Sequence, residues 1–162
     1  MEGIGGIMNG IPCEETLAQI TNAGLFVSPQ VCLFGSPKPV LGTLAQRVYV
    51  LACDGELYNK DKLAKELRPL GFRFPDRSDA AVLLHSYMAW GLGCLDKLSG
   101  AFAFALWDGE QLLLARDQSG DKALYFGTDA GTLAFASSKE ILSRLSAGNI
   151  NEVKPGHYMV FR

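Results

Sequence analysis

The sequence is poor in the residues that build metal and redox sites. It has four cysteines, none of them in a CxxC pair, and two histidines, neither at ligand spacing from a cysteine. A structural zinc site normally needs four such ligands in paired motifs, so the sequence argues against this class of site. We interpret the cysteines as reduced, buried apolar residues, and we expect neither a metal nor another cofactor.

Strong charge and long apolar runs are also absent. The formal net charge is −2, which offers no electrostatic footprint for nucleic acid or for an anionic membrane surface. No apolar run approaches the ~18 residues that a membrane span needs, and no basic segment followed by an apolar one opens the chain as in a secretory signal. The sequence therefore predicts a cytoplasmic protein that contacts neither nucleic acid nor membrane.

What is present is the composition of one folded domain. The chain has 162 residues, of which 48% are hydrophobic and 20% are charged. This length matches the roughly 100–200 residues of a typical domain, and this hydrophobicity is too high for a disordered chain. We expect residues 1–162 to form a single domain.

Alternating apolar patterns predict strands in both halves of the chain. In the first half they are GIGGIM, VCLFG and RVYVLACDG, the last of which is ended by a turn at Asp54-Gly55. In the second half, GAFAFALWD and QLLLARD form a hairpin around Asp108-Gly109. They are followed by ALYFG, TLAFAS and HYMVFR.

Helical patterns separate and follow these strands. Leu63, Leu67 and Leu70 recur at helical spacing, and a second helix over residues 78–90 begins after a Ser78 cap. GCLDKL and SKEILSRL predict two shorter helices. Blocks of strands separated by helices favour antiparallel sheets covered by helices over an alternating β–α–β winding.

Four segments carry a resemblance to a known family. DGELYNKDKLAKEL, SDAAVLLHSYMAWGLGCLDKLSGAFAFALWD, LLLARDQSGDKALYF and LAFASSKEIL have the order and spacing of the glutaminase domain of asparagine synthetases. These are class II, N-terminal-nucleophile glutamine amidotransferases, and the likeness covers residues 1–10 and 50–162. The resemblance implies an α+β fold, the four-layer αββα sandwich of two antiparallel sheets flanked by helices.

The opening MEGIGGIMNG departs from that family at the catalytic position. The resemblance implies a Cys as second residue, exposed by removal of Met1, whose thiolate attacks the glutamine amide while its α-amino group acts as base. Glu2 stands in this place. A carboxylate is a poor nucleophile toward an amide, and a residue as large as Glu normally prevents removal of the initiator Met.

The resemblance places four further candidate residues. The family forms its oxyanion hole from an Asn side chain and the next Gly N–H in an Asn-Gly-Glu turn, where this chain has Asp54-Gly55-Glu56. An ionised Asp54 would repel an oxyanion, whereas the Gly55 N–H could still donate. Asp79 matches the family's Asp that binds the substrate's α-ammonium group. Asp54 and Gly55 are thus the oxyanion-hole positions, and Glu56 and Asp79 are the substrate-binding candidates.

The family's carboxylate-binding Arg has no counterpart here. Residues 1–46 contain no Arg, and Lys38 is their only cation. The retained residues also have structural interpretations: Asp79 as a charge at a helix N-terminus, and Arg116 with Asp117 as an internal ion pair. A further hypothesis is that crowded carboxylates in this pocket share protons or attract a cation or an amine.

These departures predict a degenerate glutaminase domain. It would be a non-catalytic scaffold or regulatory module for an amide-forming synthetase or cyclase, in the same or another chain. The ATP-binding Ser-Gly-Gly-x-Asp-Ser loop of such a synthetase does not occur in the sequence. Two alternatives stay open: an active glutamine amidotransferase that binds L-glutamine and in which Glu2 replaces an original Cys, and a different hydrolase that uses Cys13. A homodimer is also left open.

Overall fold

The computed structural model describes residues 3–10, 24–145 and 148–162. Glu2 and Cys13 lie outside the described residues. Within these ranges the chain forms two antiparallel sheets and three α-helices, and no helix is both long and apolar enough to cross a membrane.

One sheet has six strands in the order β10-β8-β9-β1-β3-β2. The strands are β1 (Gly3–Met8), β2 (Gly24–Val27), β3 (Val31–Ser36), β8 (Tyr125–Asp129), β9 (Thr132–Ala136) and β10 (Asn151–Glu152). β1 pairs with β3 on one side and with β9 on the other, and all six of its residues are buried. The glycine-rich opening strand therefore lies at the centre of this sheet.

The other sheet has five strands in the order β11-β7-β6-β5-β4. The strands are β4 (Val40–Leu44), β5 (Arg47–Leu57), β6 (Gly100–Trp107), β7 (Leu112–Arg116) and β11 (Tyr158–Phe161). β5 and β6 pair without interruption from Val50 opposite Trp107 to Leu57 opposite Gly100. β4 pairs only with the first part of β5, so the last part of β5 has β6 as its partner strand.

Helices cover the outer face of each sheet. The helices are α1 (Lys60–Leu67), α2 (Asp79–Trp90) and α3 (Lys139–Leu145). α1 and α2 pack on the five-stranded sheet in a cluster that includes Leu63, Leu83 and Phe104. Leu142 of α3 packs on Ile7 of the six-stranded sheet. With the apolar layer between the sheets, this arrangement is the predicted αββα sandwich.

Local sequence explains where the helices begin and end. The Ser78 hydroxyl accepts a hydrogen bond from the Ala81 N–H at 3.2 Å and so caps the start of α2, as predicted. α1 ends at Leu67, and the chain continues as a 3₁₀ segment over Arg68–Leu70. Pro69 has no N–H to continue the α-helical hydrogen bonds, which explains the tighter turn.

The predicted turn at Asp54-Gly55 is wrong, because β5 continues through both residues to Leu57. Gly55 has a φ of +123°, and a Cβ on it would lie 2.0 Å from the Ala101 carbonyl oxygen of β6. The glycine is therefore required by the close approach of two paired strands.

Three strands had no counterpart among the predicted elements: β2, β4 and β10. β2 and β4 are the edge strands on one side of the two sheets, and both carry exposed apolar side chains, such as Val27 and Leu41. β10 has only two residues. Edge strands lack the two-sided burial that makes a strand visible as an apolar run.

We expect Gly6→Ala to destabilise the protein by about 1–3 kcal/mol, because overpacking forces the surrounding atoms to move. A Cβ at this position would lie 2.3 Å from the Cys32 carbonyl oxygen and 2.6 Å from the Phe135 ring. Urea unfolding measures the change. Gly93→Ala is the matched control, since its Cβ would meet no atom within 4 Å. Equal midpoints for the two variants would contradict this account of β1.

Candidate functional site

A cavity of about 340 Å³ lies beside the last part of β5. Its walls come from β5, from the segment 37–39 that leads into β4, and from the start of α2. The polar and reactive side chains among its lining residues are Lys38, Cys53, Asp76, Ser78 and Asp79. Gly55 also lines the cavity, so the structure brings together two of the sequence-predicted residues, Gly55 and Asp79.

Asp79 joins the first turn of α2 to the end of β5. Its Oδ1 accepts a hydrogen bond from the Leu57 N–H at 2.9 Å. Its Oδ2 lies 3.6 Å from the Lys60 ammonium group, and both side chains are about one third exposed or less. Asp79 is therefore already balanced by a cation of the chain itself.

Asp54 lies on the opposite face of β5 from the cavity. It pairs with Ala103, which belongs to the apolar layer between the sheets. Asp54 Oδ1 lies 3.0 Å from Lys122 Nζ. This hydrogen bond raises the pKa of the Lys122 ammonium group, and the charges of Asp54 and Glu56 raise it further.

Glu56 is exposed and shares the face of Asp54, because side chains alternate along a strand. The four candidates therefore separate into two sets. Gly55 and Asp79 line the cavity, whereas Asp54 and Glu56 lie on the side that faces Lys122.

The loop that presents Lys122 is held by a buried guanidinium group. Arg116 donates hydrogen bonds to the carbonyl oxygens of Lys122, Gly120 and Val153 at 2.5, 2.7 and 2.9 Å. It also forms an ion pair with Glu152 at 2.6 Å. The side chain of Arg116 is only 6% exposed, so these partners replace its water shell.

Asp117 holds the same loop from the other end. Its carboxylate accepts hydrogen bonds from the N–H groups of Phe102, Ser119 and Gly120 and from the Ser119 hydroxyl. Burial raises the pKa of Asp117, but these hydrogen bonds outweigh burial and bring the pKa below its usual value. The predicted ion pair between Arg116 and Asp117 is wrong, because each binds other groups.

The candidate carboxylates that the structure describes do not crowd into one pocket, because Asp79 lines the cavity whereas Asp54 and Glu56 lie on the opposite face of β5. Across the described residues, no group of three or more His, Cys, Asp or Glu side chains is arranged to hold a metal ion. Lys60 and Lys122 supply the cations that Asp79 and Asp54 would otherwise attract. Sequence reasoning missed both lysines, since neither pairing has a local signal.

The Cys53 thiol, which feels the charges of these carboxylates, is buried and protonated. Cys53 is 5% exposed and lines the cavity. Burial raises the pKa of the Cys53 thiol to about 12, and the negative charges of Asp54 and Asp79 contribute to the increase while Lys122 opposes it. Because the thiolate is the nucleophile, this environment does not suit Cys53 to nucleophilic catalysis.

We expect iodoacetamide to leave Cys53 unmodified in the folded protein at pH 7.5. With a pKa of about 12, fewer than about one thiol in 10,000 is ionised at this pH. Peptide mapping by mass spectrometry measures the modification, and the urea-unfolded chain, which reacts readily, is the control. Equal rates in the folded and unfolded chains would contradict the assigned environment.

We expect Arg116→Met to destabilise the protein by about 3–5 kcal/mol, because it removes one partner of a buried charged network. Chemical unfolding measures the loss. Arg47→Met is the matched control: Arg47 pairs with Glu110, and these side chains are 40% and 71% exposed. Such a surface pair contributes about 0–1 kcal/mol. Similar losses for both variants would contradict the role given to Arg116.

Comparison with known sequences gives a consistent result. The sequence profile described as glutamine amidotransferase domain matches residues 31–144. Asparagine synthetase 3 (glutamine-hydrolyzing) of Bacillus subtilis strain 168 is 42% identical over 112 residues, covering 67% of this chain and 18% of that protein. Asparagine synthetase B (glutamine-hydrolyzing) of Escherichia coli K12 is 38% identical over 117 residues, covering 70% and 21%. The chain thus spans about one fifth of the length of these relatives.

Comparison with solved structures supports the fold. The glutamine phosphoribosylpyrophosphate amidotransferase of B. subtilis superposes with a TM-score of 0.82 at 20% identity, covering 98% of this chain and 46% of that chain. A glutamine aminotransferase class-II domain protein of Silicibacter pomeroyi superposes with a TM-score of 0.61 at 16% identity, covering 97% and 86%. At these identities the likeness is one of fold, and it confirms the predicted α+β sandwich.

Proposed function

Because the chain belongs to the glutamine amidotransferase family, we propose that it is a degenerate glutaminase domain that does not release ammonia from glutamine. It serves as a scaffold or regulatory module for an amide-forming synthetase or cyclase, in the same or another chain. The observation that carries this proposal is the 3.0 Å ion pair between Asp54 and Lys122.

By the family resemblance, Asp54 of this ion pair stands at the position of the side chain that donates a hydrogen bond in the reaction. Hydrolysis of an amide by this family's route needs a nucleophile, a base and donors to the developing oxyanion. By sequence, Glu2 takes the place of the nucleophile and Asp54 the place of the donating amide. A carboxylate that accepts a hydrogen bond from Lys122 cannot donate one. Loss of one oxyanion-hole donor alone lowers a rate by about 10²–10³.

The cavity beside β5, which contains Asp79, supports the same conclusion. Any ligand ammonium group that approaches Asp79 must compete with Lys60, whose Nζ lies 3.6 Å from the carboxylate. Among the described residues that line this cavity, Lys38 is the one cation, and a lysine offers no bidentate fork for a carboxylate. We therefore infer that the pocket has lost most of its affinity for glutamine.

The partner is inferred from the relatives. The chain matches about one fifth of proteins that are named asparagine synthetases. This supports a synthetase as the type of partner for the domain. The buried charged network around Arg116 suits a structural role that does not depend on turnover.

Ammonia release from L-glutamine tests the catalytic part of the proposal. We expect no release above the buffer rate from the unaltered chain or from Glu2→Cys, because a restored thiol still lacks a second donor and a carboxylate clamp. Thermal unfolding verifies that the variant is folded. Turnover by the unaltered chain would overturn the proposal, and turnover by Glu2→Cys alone would support the alternative, an amidotransferase blocked at one residue.

Calorimetric titration of L-glutamine tests the pocket, with L-asparagine and ammonium as ligand controls. We expect no binding tighter than about 1 mM, or about −4 kcal/mol, by the unaltered chain. Lys60→Met frees the Asp79 carboxylate and should strengthen binding. Lys62→Met, on the same helix but outside the cavity, should leave it unchanged. Submillimolar binding to the unaltered chain would contradict the inferred loss of affinity.

A further inference from the structure

A second cavity of about 340 Å³ lies between α1 and the segment that leads into α2. Its charged lining residues are four cations and one carboxylate: Lys60, Lys65, Arg68, Arg77 and Asp61. The rest of the lining includes Phe74, whose half-buried ring gives the cavity an apolar wall. In a protein of net charge −2, this cavity is a local concentration of positive charge.

The fold brings these cations together from two separate segments. Lys65 and Arg68 are three residues apart at the end of α1 and the start of its 3₁₀ extension, and Lys60 lines the same cavity from the first residue of α1. Arg77 approaches from the segment 71–77. This segment is held by Phe74, whose ring lies 5.1 Å from the ring of His85 on α2.

Three of the four cations have no ionic partner in the described part of the chain. The ion pairs formed by the described residues include Lys60, which pairs with Asp79, but not Lys65, Arg68 or Arg77. The helix dipole accounts for Lys65, which lies in the last turn of α1. It does not account for Arg77, which belongs to another segment and adds to the repulsion.

We propose that this cavity binds a di- or triphosphate group, either as an inorganic anion or as part of a nucleotide. Guanidinium groups bind phosphoryl oxygens through two parallel hydrogen bonds, and ammonium groups act as point charges beside them. Arg68 and Arg77 take the first role and Lys65 takes the second, while Lys60 is already paired with Asp79. Several linked phosphoryl groups match the three described cations without an ionic partner better than a single carboxylate does, and they outweigh the one negative charge of Asp61 in the lining.

The organic part of a nucleotide has a place in the same cavity. Phe74 is half-buried and offers apolar surface beside the cations, whereas Val82 is 1% exposed and belongs to the core behind it. Inorganic triphosphate would use the cationic residues alone. The two ligands therefore separate recognition of phosphate from recognition of the whole nucleotide.

Calorimetric titration of the full chain with inorganic triphosphate, and separately with ATP, tests the proposal. We expect both to bind in the submillimolar range at low salt and more weakly at physiological salt, because these exposed cations are screened. Stronger binding of ATP than of triphosphate would assign the apolar wall to the organic part. Equal binding would assign recognition to the phosphates alone.

Matched charge-removing variants locate the site. The double variant Arg68→Gln with Arg77→Gln should lose at least about tenfold in affinity, since two charge-assisted contacts are removed. Lys62→Gln removes a charge from the same helix without touching the cavity and should bind as the unaltered chain does. Thermal unfolding verifies the fold of each variant.

Two results would overturn the proposal: no heat with either ligand, or the same loss for Lys62→Gln as for the double Arg variant. The second result would mean that anions meet only a diffuse basic surface. Neither result bears on the proposed loss of glutaminase activity, because these variants leave the Asp54–Lys122 and Asp79–Lys60 pairs unaltered.

Discussion

The uninterrupted pairing of β5 with β6 is the constraint on which the rest of the site depends. Backbone hydrogen bonds fix the register from Val50 to Leu57, and this register decides which side chains face the helices and which face the other sheet. Cys53 and Gly55 reach the cavity, and Asp54 reaches the layer between the sheets. A shift of one residue would exchange the two sets and bury the charges of Asp54 and Glu56 under the helices.

The charged groups of the interior that the structure describes hold loops and side chains in place, and their bonds to other groups of the chain leave none of them free to act as an acid, a base or a nucleophile. Arg116 and Asp117 tie the loop over residues 117–122 to β6 and to residues 152–153, and that loop sets Lys122 against Asp54. On the cavity side, Lys60 does the same for Asp79. Internal cations thus pair with Asp54 and Asp79, two of the carboxylates that the resemblance assigns to catalysis or binding, and the buried Cys53 thiol stays protonated.

Much of the fold could be predicted from the sequence, because local patterns specify it. The β6–β7 hairpin, the Ser78 cap of α2 and the buried opening strand all follow from residue spacing and turn chemistry. The pairings of Lys60 and Lys122 could not be predicted, because they join segments that only the tertiary fold brings together. Gly55 misled the prediction for a related reason. Glycine is typical of turns, but here it is required because β5 approaches β6 too closely for a side chain.

The backbone origin of this register has an evolutionary consequence. Because backbone hydrogen bonds fix the register, position 54 stays where it is when its side chain changes. Natural selection can therefore replace the side chain at this position without rebuilding the domain. Gly55 has no such freedom, because any Cβ would lie 2.0 Å from the Ala101 carbonyl oxygen. A lineage that abandoned the reaction would therefore still retain this glycine. Its persistence in a descendant reports the ancestry of the fold and carries no information about present activity.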